Sequence, residues 1–424
     1  MNAREKLALA AGGLLFRGFS ERASAFGAGG WDQLPRLNAL LARARAALPE
    51  YDAACAAAVG GALASAGDFT KLPLMRRGDL ARYAGGGALA RLESGGTGSS
   101  GRVETRLDLA AVAARYAALL SVLKTAGWSM GQKTAALHPV EYSYFANLPA
   151  MVASGQFGRL AFEFLQQYGL YRLLHNRKNV YYGGEIFSDP GAALRLARAA
   201  AGEDPVLLIT RPDALMAVLM ALRSARGVGF RRLKAVLTVG TPLGESVRGE
   251  VRSRLGAEVY NMYASTELGY AGLSCPHSGG WLHADRAGHI LEASAQGGLI
   301  CTDLDNALAP VLRYDTGDIG ETSERGCLCG RSGLMLKVRG RAGKFAQALP
   351  GPLYETELID LAFPAGLPFF QLDGAAGRIL LPPGAGEREA GRVRELLRLE
   401  PGRYGAAPAG KFKISSSGKF SYLP

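Results

Sequence analysis

A short loop rich in glycine and hydroxyl side chains lies at residues 97–102, with the sequence Thr-Gly-Ser-Ser-Gly-Arg. Glycines let backbone N–H groups approach phosphate oxygens closely, and serine and threonine hydroxyls add further donors. The loop is not a Walker loop, because no Gly-Lys-Ser/Thr closes it, and no acidic residue about twenty positions later completes a dinucleotide fingerprint. Phosphate binding and a flexible turn both remain open interpretations of this loop alone.

A second group of residues has the chemistry of a metal site. Cys275 is followed by His277 and His283, and Cys327 and Cys329 come after 43 intervening residues. A Cys-x7-His pair followed by Cys-x-Cys can close a tetrahedral zinc site with three cysteines and one histidine. The alternative is that these cysteines pack as small hydrophobic side chains. The chain has five cysteines, too few for a disulfide framework, which favours a reducing compartment.

Four further segments have an order and a spacing that one family requires. They are Asn-Met-Tyr-Ala-Ser-Thr-Glu at 261–267, Arg-Tyr-Asp-Thr-Gly-Asp at 313–318, Gly-Arg at 340–341 and Ser-Gly-Lys at 417–419. With the loop at 97–102, this order resembles the adenylate-forming superfamily of acyl-CoA synthetases, and within it the phenylacetate–CoA ligase-like branch. Further elements of that branch are similar to Leu-Pro-Glu-Tyr at 48–51, to 72–80 and to Gly-Thr-Pro-Leu at 240–243.

The resemblance implies a reaction in which the carboxylate of a substrate attacks the α-phosphorus of ATP, giving acyl-AMP and pyrophosphate. The charge that develops is met by hydrogen-bond donors and a metal ion. By resemblance, Thr266 contacts the α-phosphate, Glu267 holds Mg²⁺, and Lys419 reaches the carboxylate and the α-phosphate oxygens. The residues implied to surround the β- and γ-phosphates are Thr97, Gly98, Ser99, Ser100 and Gly101.

The resemblance also implies contacts to the nucleoside. Gly240 and Thr241 match the turn on the adenine side, and Tyr263 is placed to stack on adenine. Asp318 is expected to accept both ribose hydroxyls, and Arg341 is expected to reach the same ribose.

Each of these residues also has a purely structural interpretation. Glu267 fits the cap of a helix beginning near Ser265, and Asp318 fits a residue that stabilises a Thr-Gly-Asp turn. Lys419 fits a frayed lysine near the end of the chain. Because these residues all occur in the order and spacing of one family's motifs, the functional interpretation is favoured over these alternatives.

Two substructures are implied by the branch itself. Its acyl pocket falls where this chain has Tyr142, Tyr144 and Phe145, although such an aromatic stripe is as often plain core. Some members carry a zinc site between the nucleotide motifs, and His283 falls where their ligand histidine does, which leaves His277 as the spare. The implied ligand set is Cys275, His283, Cys327 and Cys329, with a structural zinc, since ATP and Mg²⁺ supply the chemistry.

The chain departs from the family pattern at three positions. Gly343 stands where the hinge aspartate is usual, Val103 replaces a proline, and Gly298 replaces a glutamate. The departures leave adenylation well supported and the acceptor open between CoA, the phosphopantetheine of a carrier protein and an amine. The alternatives are therefore a stand-alone adenylating enzyme that loads a carrier protein or an amine, and a non-catalytic nucleotide-binding homologue.

The elements that must position these residues indicate an α/β fold. Apolar strands separated by a helical pattern indicate βαβ units with a buried parallel sheet, and the resemblance implies a small β-barrel-like part in the same N-terminal domain. We expect an N-terminal adenylation core at 1–340 and a small mobile α+β domain at 341–424. The predicted strands include 205–210 and 233–239, and the predicted helices include 105–126, 191–202, 213–225 and 385–398.

Composition excludes several classes of protein. The chain has 424 residues, 48% of them hydrophobic, which excludes disorder, and no apolar run reaches the length of a membrane span. The net charge is +12, but the arginines are scattered, which favours a solvated basic surface over nucleic-acid binding. We expect a cytoplasmic enzyme whose partners are a carboxylic acid, aromatic by analogy, and CoA or a carrier protein, with a homodimer compatible.

Overall fold

The computed structural model describes residues 2–15, 19–24, 26, 33–83, 88–93, 103–153, 155, 157–367, 369–400, 402–408 and 412–424. The chain forms two compact units, of which the first contains 1–129 and 262–337 and the second contains 130–261 and 338–424. The chain re-enters the second unit close to the predicted boundary at residue 340, and a separate C-terminal domain beyond that residue stays a prediction.

The N-terminal part of the first unit is mostly helical. Asp108 caps its longest helix by accepting a hydrogen bond from the backbone N–H of Ala111 at 2.8 Å. The predicted helix from 105 therefore begins later, because alternating burial makes the preceding residues a strand that pairs with residues 90–93. The elements are α1 (Ala3–Leu15), α2 (Phe19–Ser24), α3 (Leu34–Ala47), α4 (Pro49–Val59), α5 (Ala66–Phe69), α6 (Arg77–Ala81), β1 (Ala90–Glu93), β2 (Glu104–Leu107) and α7 (Leu109–Thr125).

The second unit begins with the predicted βαβ units. Its strands β3 (Thr134–Pro139), β4 (Arg177–Tyr182), β5 (Leu207–Thr210) and β6 (Ala235–Val239) pair in parallel in the order β4-β3-β5-β6. The helices are α8 (Tyr144–Ala153), α9 (Phe157–Phe164), α10 (Pro190–Gly202), α11 (Pro212–Ser224) and α12 (Glu245–Leu255), with a π-helix at Leu165–Leu174 and 3-10 turns at Val140–Tyr142 and Gly184–Phe187. The chain then enters β7 (Glu258–Ser265), whose last four residues belong to the first unit.

Antiparallel strands joined by turns follow β7. They are β8 (Gly269–Ser274), β9 (Leu282–Ala284), β10 (His289–Ala293), β11 (Gly298–Asp303), β12 (Val311–Gly326) and β13 (Ser332–Arg341). Their hydrogen-bonded order from the last part of β7 is β7-β8-β9-β13-β12-β11-β10. The mixed α/β class predicted from the sequence is confirmed.

The C-terminal segment has α13 (Glu355–Ala362), β14 (Gln371–Asp373), β15 (Arg378–Leu381), α14 (Glu387–Leu397) and β16 (Gly405–Pro408). The predicted helix at 385–398 is confirmed as α14, whereas α13 was not predicted. This segment shares one hydrophobic core with residues 130–261: Phe187 lies 5.3 Å from Phe369 and 5.1 Å from Phe420 between ring centroids.

Among the described residues, no helix has both the length and the apolar character needed to span a membrane.

Candidate functional site

The predicted residues Thr266 and Glu267 lie in a tight hairpin turn between β7 and β8. Ser265 pairs with Gly269 across the turn, and the N–H of Leu268 donates to the Ser265 hydroxyl at 3.2 Å. Gly269 has a φ of 75°, a left-handed conformation that favours glycine. The helix-cap interpretation of Glu267 is therefore wrong, because strand and turn occupy this position.

The carboxylate of Glu267 is held inside the first unit. The residue is only 5% exposed, and its Oε1 atom lies 3.3 Å from Nη1 of Arg77 at the start of α6. A buried carboxylate needs a cationic partner or a metal ion, so Glu267 has the surroundings of an oxygen ligand for a hard cation.

Tyr263 and Asp318 are brought together on β7 and β12. The Tyr263 hydroxyl donates to Oδ2 of Asp318 at 2.7 Å. Burial and the charge of Asp318 raise the pKa of Tyr263 well above its ordinary value, so the phenol keeps its proton. Asp318 lies inside a strand, and the turn before it is closed by Asp315, which accepts from the N–H of Gly317 at 3.0 Å. The carboxylate of Asp318 is thus a hydrogen-bond partner of the Tyr263 side chain.

In the second unit, the turn after β6 contacts the predicted catalytic lysine. A Cβ placed on Gly240 would lie 3.8 Å from Cε of Lys419, so the two residues are neighbours although 179 positions separate them. The adjacent Thr241 has a buried hydroxyl oxygen with no hydrogen-bond partner in the described part of the chain. A buried unsatisfied hydroxyl is unfavourable without a ligand, so the turn after β6 is suited to a polar molecule.

The backbone around Lys419 is closed by several hydrogen bonds. The N–H of Lys419 donates to the Ser415 hydroxyl at 2.9 Å, and its carbonyl accepts from the Ser415 N–H at 3.0 Å. The buried guanidinium of Arg211 donates to the Ser417 carbonyl at 2.9 Å and also to the Gly418 carbonyl. The interpretation of Lys419 as a frayed terminal residue is therefore wrong.

Arg211 is itself fixed by a buried carboxylate. Its Nε and Nη2 atoms donate to the two oxygens of Asp213 at 3.1 and 3.0 Å, and Oδ2 of Asp213 also accepts from the N–H of Phe420 at 2.9 Å. Both side chains are less than one-tenth exposed. Neither residue was predicted from the sequence, because an arginine and an aspartate at the start of a helix are usually exposed to solvent.

The remaining predicted nucleotide residues are not brought together within one unit. Arg341 ends β13, is exposed and belongs to the second unit, whereas Asp318 belongs to the first. Gly343, which stands where the hinge aspartate is usual, has a φ of 73°, a left-handed conformation that favours glycine. The predicted phosphate loop, Thr97 to Gly101, lies outside the described residues. Convergence of all these groups on one nucleotide stays a prediction.

The predicted aromatic group divides into two parts. Tyr144 and Phe145 join Phe164 and Tyr168 in a cluster in which ring centroids lie 4.9–6.2 Å apart. Tyr142 instead lies 6.5 Å from the ring of His138. Phe145 remains 65% exposed, so the cluster is not plain core.

The four predicted metal ligands come together within the first unit. Their donor atoms, on Cys275, His283, Cys327 and Cys329, all lie within 4.8 Å of one another. The sulfurs of Cys275 and Cys327 are 3.5 Å apart, and the sulfur of Cys329 lies 3.4 Å from Nε2 of His283. Burial and the nearby Arg331 lower the pKa of His283 to about 4, so the imidazole is neutral at pH 7, as a metal ligand must be.

A buried ion network that the sequence did not predict lies below the β7–β8 turn. Arg22 donates to Asp285 at 2.6 Å and to Asp305 at 2.9 Å, and Nδ1 of His289 lies 3.0 Å from Oδ2 of Asp285. The solvated surface predicted for the scattered arginines is therefore wrong for Arg22, as it is for Arg211. The charged groups of this network are Arg22, Arg36, Arg115, Asp285, His289, Asp303 and Asp305.

His289 gives the network a dependence on pH. Burial alone lowers its pKa, but the hydrogen bond and charge of Asp285, with the charges of Asp303 and Asp305, outweigh burial and raise the pKa above 6.5. A histidine whose pKa rises on folding stabilises the folded state below its unfolded pKa, and this contribution is lost as the pH rises through the folded pKa.

We therefore expect His289→Gln to lower the free energy of unfolding relative to the wild-type protein. The loss should be larger at about pH 6 than at about pH 9. Urea unfolding of both proteins at the two pH values measures this difference. A difference that stays constant with pH would contradict a protonated His289.

Comparison with known proteins gives matches to solved structures only: no family model and no curated protein matches the chain. One match is 2-hydroxyisobutyryl-CoA ligase in the postadenylation state with R3-HIB-AMP, 16% identical, with a TM-score of 0.63 over 90% of this chain and 86% of that chain. The same ligase with 2-HIB-AMP and CoA in the thioesterification state gives 17% identity and a TM-score of 0.55, over 91% and 87%.

A third solved structure is the anthranilate CoA ligase AuaEII in complex with anthranoyl-AMP. It is 13% identical, with a TM-score of 0.50 over 78% of this chain and 65% of that chain. The chain therefore has the fold of acyl-CoA ligases, and the fold implied by the sequence resemblance is confirmed.

Proposed function

We propose that this protein activates a carboxylic acid with ATP and Mg²⁺ to form acyl-AMP and pyrophosphate, and then transfers the acyl group to a thiol such as that of CoA. The observation that carries the proposal is the position of Lys419, which lies against Gly240 at the end of β6 on an anchored backbone. The two segments are distant in sequence, and their contact in a chain with the acyl-CoA ligase fold supports the roles implied by the motifs.

In this proposal the protein contributes charge and position rather than a nucleophile. An oxygen of the substrate carboxylate attacks the α-phosphorus, and the bond from that phosphorus to the pyrophosphate oxygen breaks. The ammonium group of Lys419 donates to both the carboxylate and the α-phosphate, and so reduces the repulsion between two anions. Thr266 donates to the α-phosphate. Asp318 accepts from the ribose, and its hydrogen bond to Tyr263 fixes its orientation.

The residues present fit a nucleotide and its metal ion. Glu267 offers a carboxylate, the ligand type that Mg²⁺ prefers, and Thr241 offers a hydroxyl with no partner among the described residues. Mg²⁺ held at Glu267 would neutralise phosphate charge during the reaction. The phosphate loop at 97–101 and Arg341 complete the proposed contacts by resemblance.

An aromatic acid is proposed as the substrate. The cluster of Tyr144, Phe145, Phe164 and Tyr168 offers ring faces and edges, with which an aromatic acid forms favourable contacts. Tyr142 contributes from the side of His138. One protein with this fold is an anthranilate CoA ligase, which agrees with this substrate class.

The acceptor has two candidates, CoA and the phosphopantetheine or amine of a biosynthetic partner. The shared core of 130–261 and 338–424 favours adenylation, because it holds Lys419 beside Gly240. A mobile C-terminal domain at 341–424, a cytoplasmic location and a homodimer are further parts of the proposal.

Pyrophosphate release with ATP, Mg²⁺ and a panel of aromatic and aliphatic acids tests the function, in parallel with and without CoA. We expect release that depends on the acid, and a thioester product when CoA is present. Release that is unaffected by CoA favours a carrier-protein or amine acceptor. If none of the acids causes release while ATP binds, a non-catalytic nucleotide-binding protein is the better interpretation.

We also propose a structural zinc ion bound by Cys275, His283, Cys327 and Cys329. Zinc–sulfur bonds of about 2.3 Å at tetrahedral angles place two ligand sulfurs about 3.8 Å apart. The sulfurs of Cys275 and Cys327, 3.5 Å apart, are close to that requirement. Zinc–nitrogen bonds of about 2.0–2.1 Å place a sulfur and a nitrogen ligand about 3.6 Å apart, and the sulfur of Cys329 lies 3.4 Å from Nε2 of His283. Because the reaction needs only ATP and Mg²⁺, the zinc would stabilise the strands that carry its ligands.

We expect about one zinc ion per chain in protein purified without chelator, measured by elemental analysis. Cys329→Ser should lose most of this zinc and should lower the midpoint of thermal unfolding. Cys301→Ala is the matched control, because Cys301 is buried in β11 away from the cluster, and it should retain the metal. Less than about half an equivalent in the wild type would contradict the site.

A further inference from the structure

Three successive carbonyls in the β7–β8 turn accept hydrogen bonds from two side chains below the turn. Nη1 of Arg115 donates to the carbonyl of Thr266 at 2.8 Å, and its Nη2 donates to the carbonyl of Glu267 at 2.8 Å. Nε2 of His289 lies 2.7 Å from the carbonyl of Leu268. Side-chain contacts to three consecutive carbonyls therefore hold the backbone of this turn from below.

Both donors are held in turn by buried carboxylates. Nη2 of Arg115 lies 3.3 Å from Oδ2 of Asp303, and Nδ1 of His289 lies 3.0 Å from Oδ2 of Asp285. The two aspartate side chains are 1% exposed. Because the carbonyl of Leu268 can only accept, Nε2 of His289 carries the hydrogen that the ring donates to the turn.

The space that Arg115 occupies depends on a glycine. Gly269 follows the turn with a φ of 75°, and a Cβ placed there would lie 3.2 Å from Nε of Arg115. That distance is shorter than an ordinary van der Waals contact, so the arginine lies directly against the glycine backbone. The turn, the arginine and the glycine therefore form one closely packed arrangement.

We infer that Arg115 and His289 are positioning residues, which hold the Thr266–Glu267 backbone so that the hydroxyl and carboxylate meet the α-phosphate and Mg²⁺. This inference rests on the proposed function. A metal ligand or phosphate donor is effective only when it is held close to its productive geometry, and the neighbouring groups supply that constraint. Arg115 holds the backbone on both sides of the Thr266–Glu267 peptide, and His289 holds the next carbonyl.

The chain offers a matched control in Arg22. Arg22 is buried in the same network and donates to Asp285 and Asp305, whereas Arg115 donates to the turn carbonyls. A lysine at either position keeps the positive charge but cannot reproduce the forked hydrogen bonds of the guanidinium, so both variants lower stability. Arg22 reaches the turn only indirectly, through Asp285 and His289, so a variant at Arg22 is expected to change the turn less than a variant at Arg115.

The experiment compares Arg115→Lys, His289→Gln and Arg22→Lys in the full-length chain. We expect the Mg²⁺ concentration for half-maximal pyrophosphate release to rise about tenfold in Arg115→Lys, less in His289→Gln, and least in Arg22→Lys. Hydrogen exchange of the amides at 266–269 should become faster in the first two proteins than in Arg22→Lys. His289→Gln keeps the test valid if Arg115→Lys does not fold.

Equal Mg²⁺ dependence and equal hydrogen exchange in the Arg115 and Arg22 variants would overturn the inference, because both arginines would then serve stability alone. Failure of the proposed function is a different result, in which the wild type releases no pyrophosphate with any acid. Hydrogen exchange at 266–269 still decides, in that case, whether Arg115 and His289 fix the turn.

Discussion

Replacing Lys419 by alanine is expected to lower the rate of acyl-AMP formation about 10²–10³-fold while ATP binding is nearly unchanged. In the proposed function the ammonium group contacts the carboxylate and the α-phosphate only as they react. Loss of such a contact raises the barrier to the chemical step and leaves ground-state binding in place. Acid-dependent exchange of pyrophosphate into ATP measures the rate, and calorimetric titration measures ATP binding.

The matched control is Lys413→Ala in the same C-terminal segment. Lys413 pairs with Asp373 at 2.8 Å, and its side chain is 58% exposed. It carries the same charge in a solvated position, so its removal should change the rate less than about twofold. An unchanged rate in Lys419→Ala would show that the lysine motif is assigned wrongly.

Replacing Arg211 by methionine is expected to lower the free energy of unfolding by about 3–5 kcal/mol. The change leaves the carboxylate of Asp213 buried without its cation, and it removes a donor from the carbonyls of Ser417 and Gly418. Methionine has a similar length and an apolar character, so the loss reports on the ion pair more than on packing.

Urea unfolding measures this loss, and Arg195→Met provides its control. Arg195 pairs with Asp189 at 3.4 Å on the surface of the same unit, where an ion pair contributes less than about 1 kcal/mol. Replacing both Arg211 and Asp213 by apolar residues should restore part of the stability, because no unpaired charge is then buried. Similar small losses in the two single variants would contradict the role assigned to the Arg211–Asp213 pair.

The order of the functional motifs and many of the helices and strands could be predicted from the sequence. The parallel strands and the helices between them were predicted because apolar runs and helical periodicity are local signals. The cysteines and histidines were recognised as a possible metal site from their spacing, and the family resemblance favoured His283 over His277. The structure brings Cys275, His283, Cys327 and Cys329 together. Strand β2 was missed because its few alternating residues lead directly into α7.

The groups behind the site could not be predicted in the same way. Arg115 is a single arginine in an alanine-rich helix, and that pattern is identical whether the side chain faces water or a buried carbonyl. Its partners Thr266 and Asp303 are more than 150 positions away. The contact depends on how strands and helices pack, and no periodicity within a window of the sequence specifies it.

The aromatic contacts of Phe187 with Phe369 and Phe420 have an evolutionary consequence. Phe420 immediately follows Lys419, so the volume available at positions 187 and 369 also sets where the lysine backbone lies. A change of size at one of the three positions requires a compensating change at another if the lysine is to stay in place. Among relatives of this chain, substitutions at 187, 369 and 420 should therefore be inherited together.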